Sequence, residues 1–225
     1  HEDPRRQRQM CIRDRYIFMD DPVNTPEFWE ACYESEMDGW DLGGPTPVFQ
    51  RLASDLPKGR ICVIGCGRGY DAVTFAKCGF DVTAIDFTDN AISATKLNAE
   101  KANVNLHLVQ DDIFNLPSNL HYSFDYVMEY TCFCAISPLR RFEYDRVVWQ
   151  LLKPSGKLLG LFLPLDKELD EGGPPWGVTK SELHDLFGLH WKLVSEEMPK
   201  DSISKRIDRE TSVSYTHLRA HETPV

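Results

Sequence analysis

Two stretches decide the fold predicted for this chain: Ile61-Cys-Val-Ile-Gly65-Cys-Gly67-Arg-Gly69-Tyr-Asp71 and, further on, Val82-Thr-Ala-Ile-Asp86. An apolar run typical of a strand breaks into three glycines at alternate positions, and a second apolar run ends at a carboxylate. Glycine lets backbone N–H groups approach a ligand that a Cβ would exclude, and the following helix offers its positive N-terminus. This order predicts a βαβ unit in which Asp86 ends the second strand, placed to accept hydrogen bonds from a ribose.

From residue 60 onward, short apolar runs alternate with segments of helical character. We therefore predict an α/β fold with a Rossmann-like, doubly wound and mostly parallel sheet. Residues 24–56 are rich in aromatic side chains and have helical character. We predict that they form an N-terminal extension that covers the carboxyl edge of the sheet. The predicted strands lie near residues 60–65, 81–86, 105–110, 124–130, 157–163 and 191–197, and the predicted helices near 70–78, 89–103, 139–153 and 180–188.

Two flanks read as in-frame translations of sequencing-library adaptors, residues 5–15 near the start and residues 214–223 near the end. A nucleic-acid-binding arm would need a reason to resemble an adaptor at both ends, and we see none. We therefore predict that both flanks are artefacts outside the packed fold, and that residues 16–213 form a single domain.

The charge of the chain is acidic, with 35 Asp and Glu against 25 Lys and Arg and a net charge of −10. Without the flanks the balance is more acidic still, because residues 5–15 hold five arginines. An acidic body argues against binding to nucleic acid or to an anionic membrane, and the longest apolar runs are too short to span a bilayer. We expect a monomer that acts on a small molecule.

Cysteine usage indicates a reducing compartment. One of the seven cysteines lies in residues 5–15, the other six form no CxxC pair, and several lie in apolar strand contexts. These features predict reduced, buried thiols in a cytoplasmic protein, and neither a disulfide framework nor a metal site.

A series of short motifs runs along the chain: Phe28-Trp-Glu, Gly39-Trp-Asp-Leu-Gly43, Val63-Ile-Gly-Cys-Gly-Arg-Gly69, Asp112-Ile-Phe, Glu129-Tyr-Thr-Cys-Phe-Cys-Ala135, Leu152-Lys-Pro, Phe162-Leu-Pro-Leu-Asp166 and Gly172-Gly-Pro-Pro-Trp176. Together these motifs resemble the thiopurine S-methyltransferase family of class I S-adenosylmethionine (SAM) methyltransferases, most closely its thiol and halide methyltransferase members. The resemblance covers residues 25–210. The GxGxG spacing of the loop fits this class better than an NAD dehydrogenase, whose spacing is GxGxxG.

The resemblance implies a reaction and a complete fold. It implies methyl transfer from SAM, with S-adenosylhomocysteine (SAH) as product, to a small thiol, thiocyanate, sulfide or thiopurine-like acceptor. Halide methylation and a non-catalytic SAM- or SAH-binding module remain the alternatives. The family fold has seven strands, the last of them antiparallel, whereas here the chain runs into the second flank just after Glu210. We therefore expect a truncated last strand.

Aromatic residues of the extension are candidates for binding the cofactor. Trp29 and Trp40 bracket a segment that can fold over SAM, and aromatic faces attract a sulfonium cation. Tyr33 shares the helix face of Trp29, four residues later, where related thiol methyltransferases commonly have a second tryptophan. The alternative is that these rings only pack the extension onto the sheet.

Other candidates follow the strands. Gly65 and Gly67 line the cofactor loop, and Asp112 or the N–H of Ile113 can contact the adenine edge, with Asp111 as a competitor. Glu129 and Tyr130 close the fourth strand beside the glycine loop: Glu129 can bind the cofactor or cap a helix, and Tyr130 can contact the methionine portion or line the acceptor pocket.

The acceptor end has one charged candidate. The resemblance places Arg141 near the acceptor, where it can orient an anionic thiolate, and the alternative is an ion pair with an acidic surface. Cys132, Phe133 and Cys134 are expected to shape an apolar acceptor pocket. A thiol ionises partly at neutral pH, so in-line displacement needs neither a metal nor a dedicated base.

Overall fold

The computed structural model of the chain describes residues 21–188 and 190–217, and these form a seven-stranded sheet flanked by helices. The strands are β1 (Arg60–Ile64), β2 (Asp81–Asp86), β3 (His107–Gln110), β4 (Phe124–Tyr130), β5 (Leu152–Phe162), β6 (Trp191–Glu197) and β7 (Thr211–His217). The helices are α1 (Pro26–Glu34), α2 (Pro47–Asp55), α3 (Tyr70–Lys77), α4 (Asp89–Ala102), α5 (Arg141–Leu151) and α6 (Lys180–Phe187).

The strand order is β3-β2-β1-β4-β5-β7-β6. Strands β1 to β5 pair in parallel, whereas β7 runs antiparallel between β5 and β6. The order reverses between β1 and β4, where the chain first winds outward to β3 and then returns to the other side of β1. Such a switch point opens a crevice at the carboxyl ends of the strands, which is where α/β sheets bind ligands. The predicted fold class is confirmed.

Apolar side chains cover both faces of the sheet. One buried cluster lies under α5 and α6 and includes the fully buried Phe133, Tyr144 and Phe187. The second lies under α2 and α3 and includes Phe49 and Phe75. Because both faces are buried, the central strands are continuous apolar runs, which is the pattern that revealed them in the sequence. Within the two described ranges, none of the helices combines the length and hydropathy needed to cross a bilayer.

Threonine side chains cap the starts of two helices. The hydroxyl of Thr88 accepts a hydrogen bond from the N–H of Ala91 at the start of α4, and Thr179 accepts one from Glu182 at the start of α6. Asn103, in the left-handed conformation, ends α4. These local signals place α4 directly after the carboxylate of Asp86, at the edge where the crevice opens.

The last strand is present, so the prediction of a truncated strand is wrong. Ser214–His217 was expected outside the fold, but it forms the second half of β7 and pairs with β5 and β6. The residues of β7 alternate between buried and partly exposed from Thr211 to His217, and Tyr215 packs on Phe187 with ring centroids 5.0 Å apart. The prediction from the sequence followed the adaptor resemblance, although side chains that alternate in this way are typical of a β-strand. Residues 5–15 and 218–223 lie outside the described residues, and the adaptor origin of both flanks stays a prediction.

Candidate active site

A cavity of about 750 Å³ opens at the carboxyl ends of β1, β2 and β4. Its lining comes from the glycine loop after β1, the loops after β2, β3 and β4, and the N-terminal segment 21–46. The loop after β5 and the loop between β6 and β7 complete it. Nine of the eleven residues predicted from the sequence line it: Trp29, Tyr33, Trp40, Gly65, Gly67, Asp86, Asp112, Ile113 and Tyr130.

The glycine loop wraps closely around the end of β1. Gly65 and Gly67 have φ angles of +57° and +54°, a conformation that L side chains rarely adopt. A Cβ on Gly65 would lie 2.8 Å from the Cβ of Cys132 in the loop after β4. The loop therefore requires glycine both for its backbone conformation and for its close contact with the neighbouring loop, and it leaves a concave backbone surface facing the cavity.

Asp86 is the polar centre of this end of the cavity. Its side chain is buried, and it accepts hydrogen bonds from the N–H of Gly67 at 3.0 Å and from the N–H and hydroxyl of Thr88 at 3.1 and 2.9 Å. Burial raises its pKa above the ordinary value, and these donors oppose the rise. The three donors fix the carboxylate at the lip of the cavity.

Segment 21–46, which contains α1, forms an aromatic cover over the glycine loop. The indole of Trp40 meets the rings of Trp29 and Tyr33 edge-on, each with centroids 5.4 Å apart. The Trp29 indole N–H donates to the carbonyl of Val23 at 2.9 Å. The three rings thus pack against one another and also line the cavity, so the structure does not choose between packing and ligand contact.

Polar contacts hold this cover on the sheet. Arg68 of the glycine loop forms ion pairs with Asp38 and Asp41 of the cover. Asp71, at the start of α3, accepts hydrogen bonds from the N–H and the hydroxyl of Thr46, both at 2.8 Å, and its burial raises its pKa to about 6. Glu30 of α1 accepts hydrogen bonds from the first amides of α4. The cover is therefore fastened at three points around the glycine loop.

The loop after β3 closes the cavity beside β2. Asp111 and Asp112 both line it, so the structure does not choose between them. One oxygen of Asp112 caps the next turn by accepting the N–H of Phe114 at 3.0 Å, and Ile113 is buried against the cavity wall. Asp112 is thus both a cap and a wall residue.

The opposite end of the cavity contains a buried polar cluster that the sequence analysis missed. The Tyr130 hydroxyl donates to Glu210 at 3.2 Å, and Ser202 donates to the same carboxylate at 2.5 Å. The guanidinium of Arg206 lies 4.8 Å from the Tyr130 ring centroid and donates through Nη2 to the carbonyl of Trp40 at 3.1 Å. Arg206 is buried and lines the cavity, and its Nη1 has no hydrogen-bond partner among the described residues. The signal in the sequence was a Lys-Arg pair in an acidic chain, just before the second flank.

Two predicted residues lie behind the cavity wall. Glu129 is fully buried, accepting the N–H of Phe133 at 2.8 Å and the hydroxyl of Tyr144 at 2.6 Å, and burial raises its pKa to about 7. Its carboxylate fixes the loop after β4 and does not line the cavity. Arg141 forms an ion pair with Glu182 at 2.5 Å and donates to the carbonyl of Gly177 at 3.0 Å. Arg141 thus joins α5 to α6, as in the ion-pair alternative, whereas its neighbour Arg140 lines the cavity.

The cavity at the switch point, between a glycine loop and a buried carboxylate, and the antiparallel β7 define a SAM-dependent methyltransferase of class I. Solved structures share the fold. A Burkholderia thailandensis 1,6-didemethyltoxoflavin-N1-methyltransferase with bound SAH matches with a TM-score of 0.67 and 18% identity, over 86% of this chain and 87% of that one. Magnesium protoporphyrin IX methyltransferase from Synechocystis PCC 6803, also with SAH, matches with a TM-score of 0.62 and 15% identity, over 76% and 80%.

The family is more specific. The model of the thiopurine S-methyltransferase family matches residues 24–222, and the chain belongs to that family. Thiocyanate methyltransferase 1 of Arabidopsis thaliana is 35% identical over 189 residues, which is 81% of each chain. A thiopurine S-methyltransferase of Vibrio cholerae is 29% identical over 183 residues, 73% of this chain and 82% of that protein.

Proposed function

We propose that the cavity binds SAM beside the glycine loop and a small, soft, anionic acceptor beside Tyr130 and Arg206. One observation carries this proposal: a single continuous cavity has a buried carboxylate, Asp86, at one end and a buried guanidinium, that of Arg206, at the other. A ribose offers hydroxyl donors for the first, and a thiolate offers negative charge for the second. The solved SAH complexes of the same fold support the cofactor.

The residues present fit SAM. The glycine loop leaves space that a Cβ would fill, and three aromatic rings line the cavity above it. We assign Asp86 to the ribose, Asp112 and Ile113 to the adenine edge, and Trp29, Tyr33 and Trp40 to the sulfonium side. Aromatic faces attract a cation and also exclude water.

Held by the glycine loop, Asp86 and the aromatic rings, SAM would supply an electrophilic methyl group to the sulfur of the acceptor thiolate and would leave as SAH. The proton of the acceptor thiol would go to solvent. Arg206 holds the thiolate by charge, Tyr130 borders it, and the cover keeps water out. Glu129 and Arg141 act indirectly: Glu129 fixes the loop after β4, and Arg141 fixes the junction of α5 and α6.

We further propose that the acceptor is a small molecule and not a nucleic acid or a membrane component, and that the protein is a cytoplasmic monomer without a metal. The acidic net charge and the six free cysteines among the described residues support this part of the proposal. Sedimentation velocity and an assay in the presence of a chelator test the oligomeric state and the metal.

The experiment that tests the function combines binding and transfer. Titration calorimetry with SAM, SAH and NADH should show binding of the first two alone. With labelled SAM, a thiol panel of graded pKa should be methylated, and the rising limb of the pH–rate profile should follow the pKa of each acceptor. A limb at one fixed pH for all acceptors would reveal a protein base instead. Preference for oxygen or nitrogen acceptors over every thiol and halide would overturn the assignment.

A further inference from the structure

The carboxylates that line the cavity lie toward one end of it, whereas cations lie at both ends. At the carboxylate end, Arg68 pairs with Asp38 and Asp41, and Arg140 lies over the Phe114 ring. All of its lining carboxylates lie on the side of the glycine loop and β3: Asp41, Asp71, Asp86, Asp111 and Asp112. At the other end, beyond Tyr130, four cations line the cavity and come from two loops: Lys167 after β5, and Lys205, Arg206 and Arg209 before β7. In a chain of net charge −10, four cations around one end of a cavity require an explanation.

The nearby carboxylates do not neutralise these cations fully. Asp166 pairs with Arg209 at 2.7 Å, and Glu210 accepts the hydroxyls of Tyr130 and Ser202 while its charge also attracts Arg206. Within the described part of the chain, the Lys167 ammonium donates only to the carbonyl of Pro175, at 2.7 Å. Among the described residues, the Lys205 ammonium has no ion pair or hydrogen bond, and Arg206 retains its unpartnered Nη1.

The two loops are joined to each other, so the cations hold a fixed arrangement. The N–H of Leu165 donates to the carbonyl of Arg209 at 2.9 Å, and the side chain of Arg209 donates to Asp166 and to the carbonyl of Lys205. Arg206 lies deep, against the Tyr130 ring, whereas Lys205 is exposed and Lys167 is half-exposed. The positive charge therefore has an inner position and an outer position.

A simple thiolate uses only the inner position. We propose, on the basis of the function proposed above, that the acceptor is a thiol with a second anionic group, a mercaptocarboxylate, whose carboxylate binds Lys167 and Lys205 while its sulfur faces Arg206. Two separated anionic groups match the two positions of the cations, and a carboxylate offers enough acceptor sites for both ammonium groups.

The test compares 3-mercaptopropionate with its methyl ester, in the wild type and in the Lys167→Met/Lys205→Met variant, which we call the rim variant. In each protein, the ratio of kcat/KM for the acid to kcat/KM for the ester is measured. Comparing this ratio between the two proteins cancels the difference between the thiol pKa values, which is the same in both. The variant should lower this ratio roughly fivefold to tenfold through the KM of the acid, as expected for two partly exposed charge pairs. The matched control, Lys192→Met/Lys200→Met, removes two positive charges outside the cavity and should leave the ratio unchanged.

A binding measurement makes the result independent of turnover. The methylated product, 3-(methylthio)propionate, should bind the SAH complex more tightly than its methyl ester, and only the Lys167→Met/Lys205→Met variant should remove that preference. Lys205→Met alone serves if loss of the contact between Lys167 and Pro175 impairs folding.

The outcomes separate the two proposals. Methylation of the ester at a rate equal to that of the acid, with no effect of the rim variant, would overturn this inference and leave the methyltransferase assignment standing. An equal loss in the control variant would reduce the effect to general electrostatic attraction and would also overturn it. Failure to methylate any thiol, despite SAH binding, would contradict the proposed function itself.

Discussion

The N–H of Gly67 lies 3.0 Å from Oδ2 of Asp86, so the glycine loop after β1 and the carboxylate that ends β2 form one hydrogen-bonded unit. The two strands are neighbours in register, with Ile64 opposite Ile85, which brings both strand ends to the same edge. The carboxylate assigned to the ribose therefore also fixes the loop that approaches the rest of the cofactor. Its removal has two consequences for binding, the loss of a ligand contact and the loss of loop geometry.

Asp86→Ala should weaken SAH binding by roughly 1–3 kcal/mol, because the ribose hydroxyls and the Gly67 N–H lose a buried acceptor. Titration calorimetry measures this change. The matched control is Asp81→Ala at the other end of β2, where the carboxylate is half-exposed and pairs with Arg60 at 3.2 Å. The control should bind SAH like the wild type. An unchanged affinity in Asp86→Ala would remove Asp86 from the binding site.

Substitutions of Arg141 and of Arg206 should have different effects. Arg141→Met removes one partner of a largely buried ion pair and should cost about 3 kcal/mol of folding free energy, while the KM of the folded fraction stays unchanged. Arg206→Met should instead lower kcat/KM for anionic acceptors about tenfold or more and affect neutral acceptors less. Urea unfolding and steady-state kinetics of both variants provide the comparison. The reverse assignment of these effects would restore Arg141 as the residue that faces the acceptor.

Much of the fold was readable from the sequence because its signals are local. The apolar runs, the glycine loop and the caps at Thr88 and Thr179 each act within a few residues, and the structure has these elements close to where they were predicted. The glycine-loop end of the cavity was readable for the same reason, because the Rossmann-like order brings Gly65, Gly67 and Asp86 to one edge.

The acceptor side was not readable in the same way. Arg140 and Arg141 are adjacent in the sequence, and only the phase of α5 decides which one faces the cavity and which one pairs with Glu182. Arg206 reaches the cavity from a long loop, and it does so only because β7 inserts between β5 and β6. Contacts across more than 70 residues of sequence, such as the one between Tyr130 and Glu210, leave no local pattern.

A chain that ends at Val213 should not form the native sheet. It lacks Ser214–His217, and these residues pair with β5 on one side and β6 on the other. Their loss would leave β6, over half its length, without the one strand that pairs with it among the described residues. It would also remove the contact of Tyr215 with Phe187. We expect loss of cooperative thermal unfolding and of SAH binding, measured by circular dichroism and calorimetry. A truncated chain that melts and binds like the full one would show that the second half of β7 is dispensable.

His217 should make the protein less stable in mild acid. Its ring stacks on Trp149 with centroids 3.8 Å apart and meets Trp191 edge-on, and burial there lowers its pKa from 6.5 to about 4. The native state therefore keeps the ring neutral in a range of pH where the unfolded chain takes up a proton. The stabilisation is complete above pH 6.5 and is lost progressively as the pH falls toward 4.

His217→Phe keeps an aromatic ring in the stack but cannot be protonated. Between pH 7.5 and pH 5, the wild type should lose about 1–2 kcal/mol of unfolding free energy more than this variant, since partial solvent access limits the effect. Urea unfolding at the two pH values measures the difference, and His121→Phe, at a half-exposed ring away from the tryptophans, is the matched control and should behave like the wild type. Equal acid sensitivity in His217→Phe and the wild type would mean that His217 is already protonated in the folded protein, which the stack between two indoles does not favour.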